Sequence, residues 1–351
     1  MYHYNQKGLQ TLQNYILERK PSKVIVLTDY HTKELCLPKL LPYLPAHFVN
    51  INIPPGESYK QIETLQSIWK QLLENNADRN SLMINLGGGV ITDIGGFAAS
   101  TFKRGIDFIH IPTTLLSMVD AAIGGKNGIN FLQGKNQIGN INLPKLILVN
   151  DDFLNTLPQM QIDSGIAEML KHGLIGDRDY WQKMVTYLNN KNTNFSQLIK
   201  ESIQIKNEII NEDPYEKGLR KVLNFGHTLG HAIESYLNYQ KKSPITHGHA
   251  VAMGMILSVY ISNKIKILKF TLVTSIISVI RKQFTLIPFT DQDILYILEL
   301  LSYDKKNING IPQFILLEDI GIPAIDQAVS KEIIIESFKA YNALATKRSD
   351  K

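Results

Sequence analysis

The sequence predicts an α/β domain built on a mainly parallel sheet, followed by a mainly α-helical domain. Three observations carry this. At 351 residues the chain exceeds what one hydrophobic core usually serves. Short β-branched runs alternate with helical patterns over its first part, as in a parallel sheet flanked by helices. Beyond roughly residue 150 strand signals thin out and helical spacing takes over, so the division falls at residues 1–150 and 151–351.

The first strand is Lys23 to Leu27 (KVIVL), ending at Thr28-Asp29. His47 to Ile53 is the next, closed by Pro54-Pro55-Gly56. Apolar residues at helical spacing run from Ile62 to Leu73. Leu82 to Leu86 (LMINL) reads as a buried strand, and Phe108 to Ile111 as another before Pro112. In the second part helical periodicity covers Ile162 to Ile175, Trp181 to Leu188, Phe195 to Ile210 and Ala250 to Ile265, with Gln313 to Leu317 the main strand signal. No internal repeat or low-complexity tract is present.

Composition narrows the class. Hydrophobic residues are 44% and charged residues 20%, ordinary values for a globular chain. The net charge of +5 is spread along the chain, which fits a mildly basic surface and is compatible with an anionic substrate. The single cysteine, Cys36, excludes an internal disulfide and favours a reducing compartment. Met1 to Lys20 is interrupted by charges, unlike a secretory signal. Phe270 to Ile280 is apolar but too short to span a bilayer, and Lys269, Arg281 and Lys282 flank it. A soluble cytoplasmic protein is expected.

Gly87-Gly88-Gly89-Val90 follows a strand and opens a helix, with Asp93 on its first turn. Glycines let backbone N–H groups approach a pyrophosphate, and a helix N-terminus favours anions. Alone, a triple glycine is more often just a tight turn, and this one is not the G-x-G-x-x-G pattern. Asp29, after the first strand, suits a ribose hydroxyl or a helix cap. Lys103 to Asn136 is the densest stretch, holding Lys103-Arg104-Gly105, Pro112-Thr113-Thr114, Asp120, Gly124-Gly125-Lys126 and Gly134-Lys135-Asn136. Cations beside glycines and hydroxyls suit phosphate or carboxylate groups. Solvated loops explain it less well, because IHIPTTLLSMV runs straight into the charges.

On a helix Glu168, Lys171 and His172 share one face, which by itself reads as a salt-bridging surface. His227 and His231 are four apart, and His247 and His249 follow closely. A catalytic zinc takes three N/O ligands and keeps an open position. One carboxylate and two of these histidines meet that demand, but spacing does not say which histidines bind metal and which move protons.

These segments together resemble the 3-dehydroquinate synthase family. The series is GGGVITD, KRG, IPTTLLSMVDAAIGGKNGIN, GKN, GIAEMLKHG, DPYEKGLRKVLNFGHTLGHAIE and HGHAVAMGM, with DKKN…G…LLEDIG beyond, in order from about residue 54 to 321. The resemblance implies a Rossmann-like nucleotide-binding domain, a helical domain, and an active site in the cleft between them. It implies zinc, with cobalt a substitute, on Glu168, His227 and His247. It makes His231 the acid–base residue, with Glu216 and Lys126 beside it in catalysis. Arg104, Lys126, Asn136, Lys171, Lys206, Arg220, Asn224 and one of Lys305 and Lys306 match substrate-binding positions. NAD positions are matched by Asp29, Glu57, Lys60, Gly87, Gly88, Gly89, Val90, Asp93, Thr113, Thr114, Asp120, Lys135 and Thr156. The implied reaction, an early step of the shikimate pathway, converts 3-deoxy-D-arabino-heptulosonate 7-phosphate to 3-dehydroquinate. It runs by oxidation at C5 with NAD, β-elimination of phosphate, re-reduction, ring opening and intramolecular aldol closure. A homodimer is implied; neither nucleic acid nor membrane is an expected partner.

Four positions depart from the family pattern. Asn127 stands in GGKNG where GGKTG is usual, Met160-Gln161 replaces an Arg-Glu pair, Ser164 replaces an amide residue, and HGHAV with His249 replaces HGEAV. None removes a proposed ligand or base. His249 puts the surroundings of the metal in question, since ligating histidines usually lean on a carboxylate or carbonyl. Three rivals are a different sugar-phosphate cyclase, a zinc- or iron-dependent alcohol dehydrogenase that would release NADH, and an inactive scaffold.

Overall fold

The structure is a computed structural model and describes residues 1–132, 134–190, 194–241, 243–302 and 312–346. It divides into two compact units, Met1–Ile162 and Asp163–Lys351.

Unit 1 contains strands β1 (Tyr2–Tyr4), β2 (Val24–Asp29), β3 (Val49–Ile53), β4 (Leu82–Gly87), β5 (Asp107–Pro112), β6 (Lys126–Phe131), β7 (Gly134–Ile141) and β8 (Leu146–Val149). Its helices are α1 (Asn5–Arg19), α2 (Tyr30–Leu35), α3 (Leu37–Leu40), α4 (Ile62–Glu74) and α5 (Gly89–Thr101). The main sheet has the order β1-β8-β5-β4-β2-β3 with every pair parallel. From β2 the chain moves outward to β3 and then returns to β4 on the other side, so the order reverses between β2 and β4. In such sheets ligands bind at the carboxyl ends of the strands beside that reversal. β6 and β7 form a separate antiparallel hairpin.

Burial explains why these segments form. Ile25, Leu27, Ile51, Met83 and Ile94 are fully buried in one core with Leu65, Ile68 and Leu72 of α4. α4 has no side-chain N-cap, a deficit of about 1 kcal/mol. Each of its buried side chains contributes roughly 1.5–3 kcal/mol, so packing outweighs the missing cap.

Unit 2 is mainly helical. After α6 (Gln159–Gly176) come α7 (Arg178–Asn190), α8 (Phe195–Glu212), α9 (His227–Ser235), α10 (His247–Lys264), α11 (Phe270–Gln283), α12 (Asp291–Ser302) and α13 (Lys331–Ala345). β9 (Gln313–Asp319) and β10 (Ile322–Ala328) form an antiparallel pair between the last two helices in sequence. α10 is buried on nearly all sides from Ala250 to Val259, as expected of a central helix. It packs against α9, α11, α13 and β9. Among the described residues no helix is long and apolar enough to cross a membrane.

Candidate active site

In unit 1 the predicted nucleotide positions gather where the parallel strands end. Asp29 closes β2, Glu57 and Lys60 follow β3, Gly87 closes β4, Thr113 and Thr114 follow β5, and Thr156 lies beyond β8. Gly88 is the N-cap of α5, so Gly89 and Val90 present the first turn of a helix. The turn is tight. A Cβ at Gly87 would sit 2.5 Å from the Ile91 side chain, and one at Gly88 3.0 Å from Thr114 Cγ2. Thr113 N–H donates to the Gly87 carbonyl (3.0 Å), tying the two strand ends together.

Several of these side chains already hold the fold. Asp29 caps α2, its carboxylate accepting from Thr32 N–H at 2.8 Å. Lys60 is buried and bridges Asp93 and the side chain of Asn136. Burial pushes the Asp93 carboxyl up, against the pull of Lys60. Asp120 lies in a π-helical turn, Ser117–Ala121. Arg104 is exposed just after α5 with a left-handed backbone (φ 70°), following Lys103 in the same region (φ 48°). Lys126 opens β6 and is exposed, while Lys135 and Asn136 lie on β7. Asn127, the first departure from the pattern, is buried and donates to the Gly125 (2.8 Å) and Asn142 (2.9 Å) carbonyls, pinning the open end of the hairpin. Met160 is exposed.

In unit 2 three helices converge. α6 supplies Glu168 and Lys171, both buried, in an ion pair. α9 supplies His227 and His231, and α10 supplies His247 on its first turn. Glycines set the approach of α9 to α10. Gly226 caps α9 with φ 75°, and a Cβ at Gly254 would lie 2.0 Å from the Gly226 carbonyl oxygen. Ser164, the third departure, accepts from Gly248 N–H at 2.9 Å and so joins α6 to the start of α10.

Glu168 Oε1 stands 3.5 Å from His227 Nε2 and 3.6 Å from His247 Nε2. Two ligand atoms of one tetrahedral zinc are separated by about 3.4 Å, from bond lengths near 2.1 Å. Both carboxylate oxygens are buried and make no hydrogen bond of normal geometry. Lys171 already offsets the charge of this buried carboxylate through Oε2, which leaves Oε1 facing the two imidazoles. Burial alone would raise its pKa, but Lys171 and the two imidazoles hold it well below the carboxylate range. Burial and the Lys171 charge push His227 down to about 3. Burial lowers His247 too, but Glu168 and Glu234 outweigh it and raise it to about 9.

Each imidazole is oriented through its other nitrogen. His227 Nδ1 meets the Phe225 carbonyl at 3.1 Å, and His247 Nδ1 meets Glu234 Oε2 at 3.2 Å. These are the partners that ligating histidines require. His249 does not take part: its Nε2 meets the Thr285 carbonyl and its ring lies against Phe284. The His231 ring lies 5.1 Å from His227 and 5.5 Å from His247, and it is exposed. The ligand nitrogens of His227, His231 and His247 fall within 4.8 Å of one another, so a three-imidazole set shares this place.

The remaining predicted groups sit on α8 and the segment before α9. Lys206 is buried on α8. Asp213 accepts from Lys217, Gly218 and Arg220 N–H groups at 2.7–3.1 Å, folding a loop that carries Glu216 (φ 57°). Arg220 is buried and donates to the Pro214 carbonyl, and Asn224 donates to Glu216 Oε1 at 2.8 Å. Lys305 and Lys306 lie outside the described residues. Sequence reading missed Glu234. It lies seven residues after His227 on α9, hence on the same face, so that spacing could have found it.

Residues 50–164 match the family described as 3-dehydroquinate synthase N-terminal, and residues 165–307 the one described as 3-dehydroquinate synthase C-terminal. The chain is 44% identical to the 3-dehydroquinate synthase of Parabacteroides distasonis over 337 residues, 94% of each chain. It is 41% identical to that of Pyrococcus furiosus, covering 95% of this chain and 98% of the relative. Among solved structures it resembles 2-deoxy-scyllo-inosose synthase in complex with carbaglucose-6-phosphate, NAD+ and Co2+. There the TM-score is 0.84 and the identity 26%, over 97% of this chain and 96% of that one. The 2-epi-5-epi-valiolone synthase of Streptomyces hygroscopicus, with NAD+ and Zn2+ bound, gives a TM-score of 0.85 at 25% identity, over 98% and 97%.

Proposed function

The chain belongs to the 3-dehydroquinate synthase family, and on that premise we propose that Glu168, His227 and His247 hold its divalent metal while the strand ends of unit 1 hold NAD. It is a carbocycle-forming phosphate lyase, converting 3-deoxy-D-arabino-heptulosonate 7-phosphate to 3-dehydroquinate and phosphate. The observation that carries the metal assignment is Glu168. It is fully buried, is paired with Lys171 through Oε2, and presents Oε1 at ligand spacing to two oriented imidazoles. The metal is zinc, with cobalt as a substitute; the two similar structures that contain NAD+ with Zn2+ or Co2+ support the pairing.

A metal held by Glu168, His227 and His247 would supply Lewis-acid polarisation of substrate oxygens, and NAD at the strand ends would supply reversible hydride transfer with no net redox change. The chain's own residues do the rest. His231 takes up and returns the hydroxyl proton near neutral pH. Glu216, held by Asn224, is the second proton-handling group, and Lys126 supplies charge beside the reacting carbons. Arg104, Lys126, Asn136, Lys171, Lys206, Arg220 and Asn224 bind the phosphate and carboxylate, arginine through a planar fork and lysine as a point charge. Asp29, Glu57, Lys60, Gly87 to Val90, Asp93, Thr113, Thr114, Asp120, Lys135 and Thr156 hold NAD. Residues 1–150 form the NAD-binding domain and 151–351 the metal- and substrate-binding domain. The chain works as a cytoplasmic homodimer.

Purified protein mixed with the heptulosonate phosphate, NAD and zinc tests this. Phosphate and dehydroquinate are expected in equal amounts with no net NADH. NADH accumulating in step with substrate loss would instead identify a simple dehydrogenase.

A further inference from the structure

The β6–β7 hairpin breaks its register at one residue. Ile129 pairs with Ile138 and Phe131 with Gly134, so one residue of β6, Asn130, faces three of β7, Lys135 to Gln137, and the extra residues lie on β7. Asn130 spends its polar groups away from the ladder, on that bulge and on the segment after β3. Its N–H donates to the Lys60 carbonyl at 2.8 Å. Its Nδ2 donates to Glu57 Oε1 at 2.8 Å, and its Oδ1 accepts from Asn136 N–H at 2.9 Å. Asn136 is held with a left-handed backbone (φ 50°), a conformation that costs energy outside glycine. The Asn136 side chain in turn accepts from Lys60 Nζ, which also pairs with Asp93 at the start of α5. Glu57, Asn130, Asn136 and Lys60 thus close a ring.

We propose that Asn130 is a positioning residue that locks the Glu57–Lys60 segment to Asn136, so that one side chain sets both the cofactor side and the substrate side of unit 1. The inference rests on the functional reading above, which assigns Glu57 and Lys60 to NAD and Asn136 to substrate. The amide is specific to the task. It carries a donor for the glutamate and an acceptor for the backbone on one short planar group. An aspartate would keep the acceptor and set a second carboxylate against Glu57, whereas an alanine would lose both contacts.

The test compares wild type, Asn130→Ala, Asn130→Asp, Glu57→Gln and the Asn130→Asp/Glu57→Gln double variant. Substrate KM, kcat, NAD affinity by calorimetric titration and Tm are measured for each. Asn130→Ala is expected to raise KM and to weaken NAD by about tenfold each, with kcat changing less, because two hydrogen bonds that position ligand groups are lost. Asn130→Asp weakens NAD further, and Glu57→Gln recovers at least about fivefold of that loss by restoring a donor–acceptor pair. A merely structural tie would lower Tm in Asn130→Ala while KM and NAD affinity stay unchanged, and that result overturns the proposal. So does an Asn130→Asp penalty that is the same with Glu57 as with Gln at that position. Wild-type protein that neither takes up NAD nor releases phosphate overturns the functional reading, and the proposal with it, before any substitution is made.

Discussion

The strand ends of unit 1 and the histidine cluster of unit 2 prepare for ligands in opposite ways. In unit 1 the candidate groups are already employed: Asp29 caps a helix, Lys60 is paired with Asp93, and Asn136 is held by Asn130 and Lys60. These side chains would meet the nucleotide already fixed by the fold, beside backbone at a glycine turn too crowded for a Cβ. In unit 2 the imidazoles are oriented from behind, and three of them crowd with Glu168 around one point, with Lys171 as the only fixed cation beside the carboxylate among the described residues. A region satisfied by its own contacts folds the same with or without its ligand. A region that gathers a carboxylate and imidazoles at ligand spacing gains stability when a metal binds, by about 2.7 kcal/mol at a hundredfold excess over Kd.

Substitutions sharpen this contrast. Outside the ligands themselves, the largest effect is expected at Glu234. Glu234→Gln weakens the hold on His247 Nδ1, and metal affinity should fall by about 10–100-fold in equilibrium dialysis while the fold persists. Unchanged affinity would show that orientation from behind contributes nothing.

A smaller effect separates a charge kept for structure from one kept for a ligand. Asp293 is also buried, but it accepts from Tyr236, Lys241 and Thr290. Burial alone would raise its carboxyl; those partners bring it from 3.8 down to about 2. A carboxyl depressed in the folded state adds stability above its unfolded pKa. That stability is lost as pH falls from about 4 through about 2. Asp293→Asn should cost about 1–2 kcal/mol at neutral pH, after allowance for solvent screening, and flatten the denaturation profile in that acid window. Metal content should not move.

The smallest effect is expected at Asp29. Asn is as good an N-cap as Asp, so Asp29→Asn should shift stability by only a few tenths of a kcal/mol. If the carboxylate also binds the ribose, NAD affinity falls by about fivefold. A loss of stability with unchanged NAD affinity would leave Asp29 as a cap alone.

The elements that were legible in the sequence are those with a strong period. The strand from Val24 to Asp29 and helices α6, α7, α8 and α10 follow from β-branched runs and helical apolar spacing, whereas α11, α12 and α13 were not read. The hairpin from Lys126 to Ile141 was not legible: its sequence is rich in glycine, asparagine and lysine, and much of it is exposed, so no apolar alternation marks it. Tyr2–Tyr4 and Leu146–Val149 are too short to show a period. Ile322–Ala328 is hidden by Pro323 and by its exposure. The histidine pair on α9 was readable from its spacing of four. The junction of Glu168 with His227 and His247 was not, because tertiary packing of three helices, closed by Gly226 and Gly254, brings them together.

The most direct test concerns which three side chains hold the ion. Cobalt binding to metal-free protein, followed by visible absorption and by metal content after dialysis, separates the carboxylate set from the three-imidazole set. Glu168→Gln, His227→Ala and His247→Ala should each lose the ion, while His231→Ala keeps it at full stoichiometry and loses turnover. A His231→Ala protein without metal, beside a Glu168→Gln protein that retains it, would contradict the assignment.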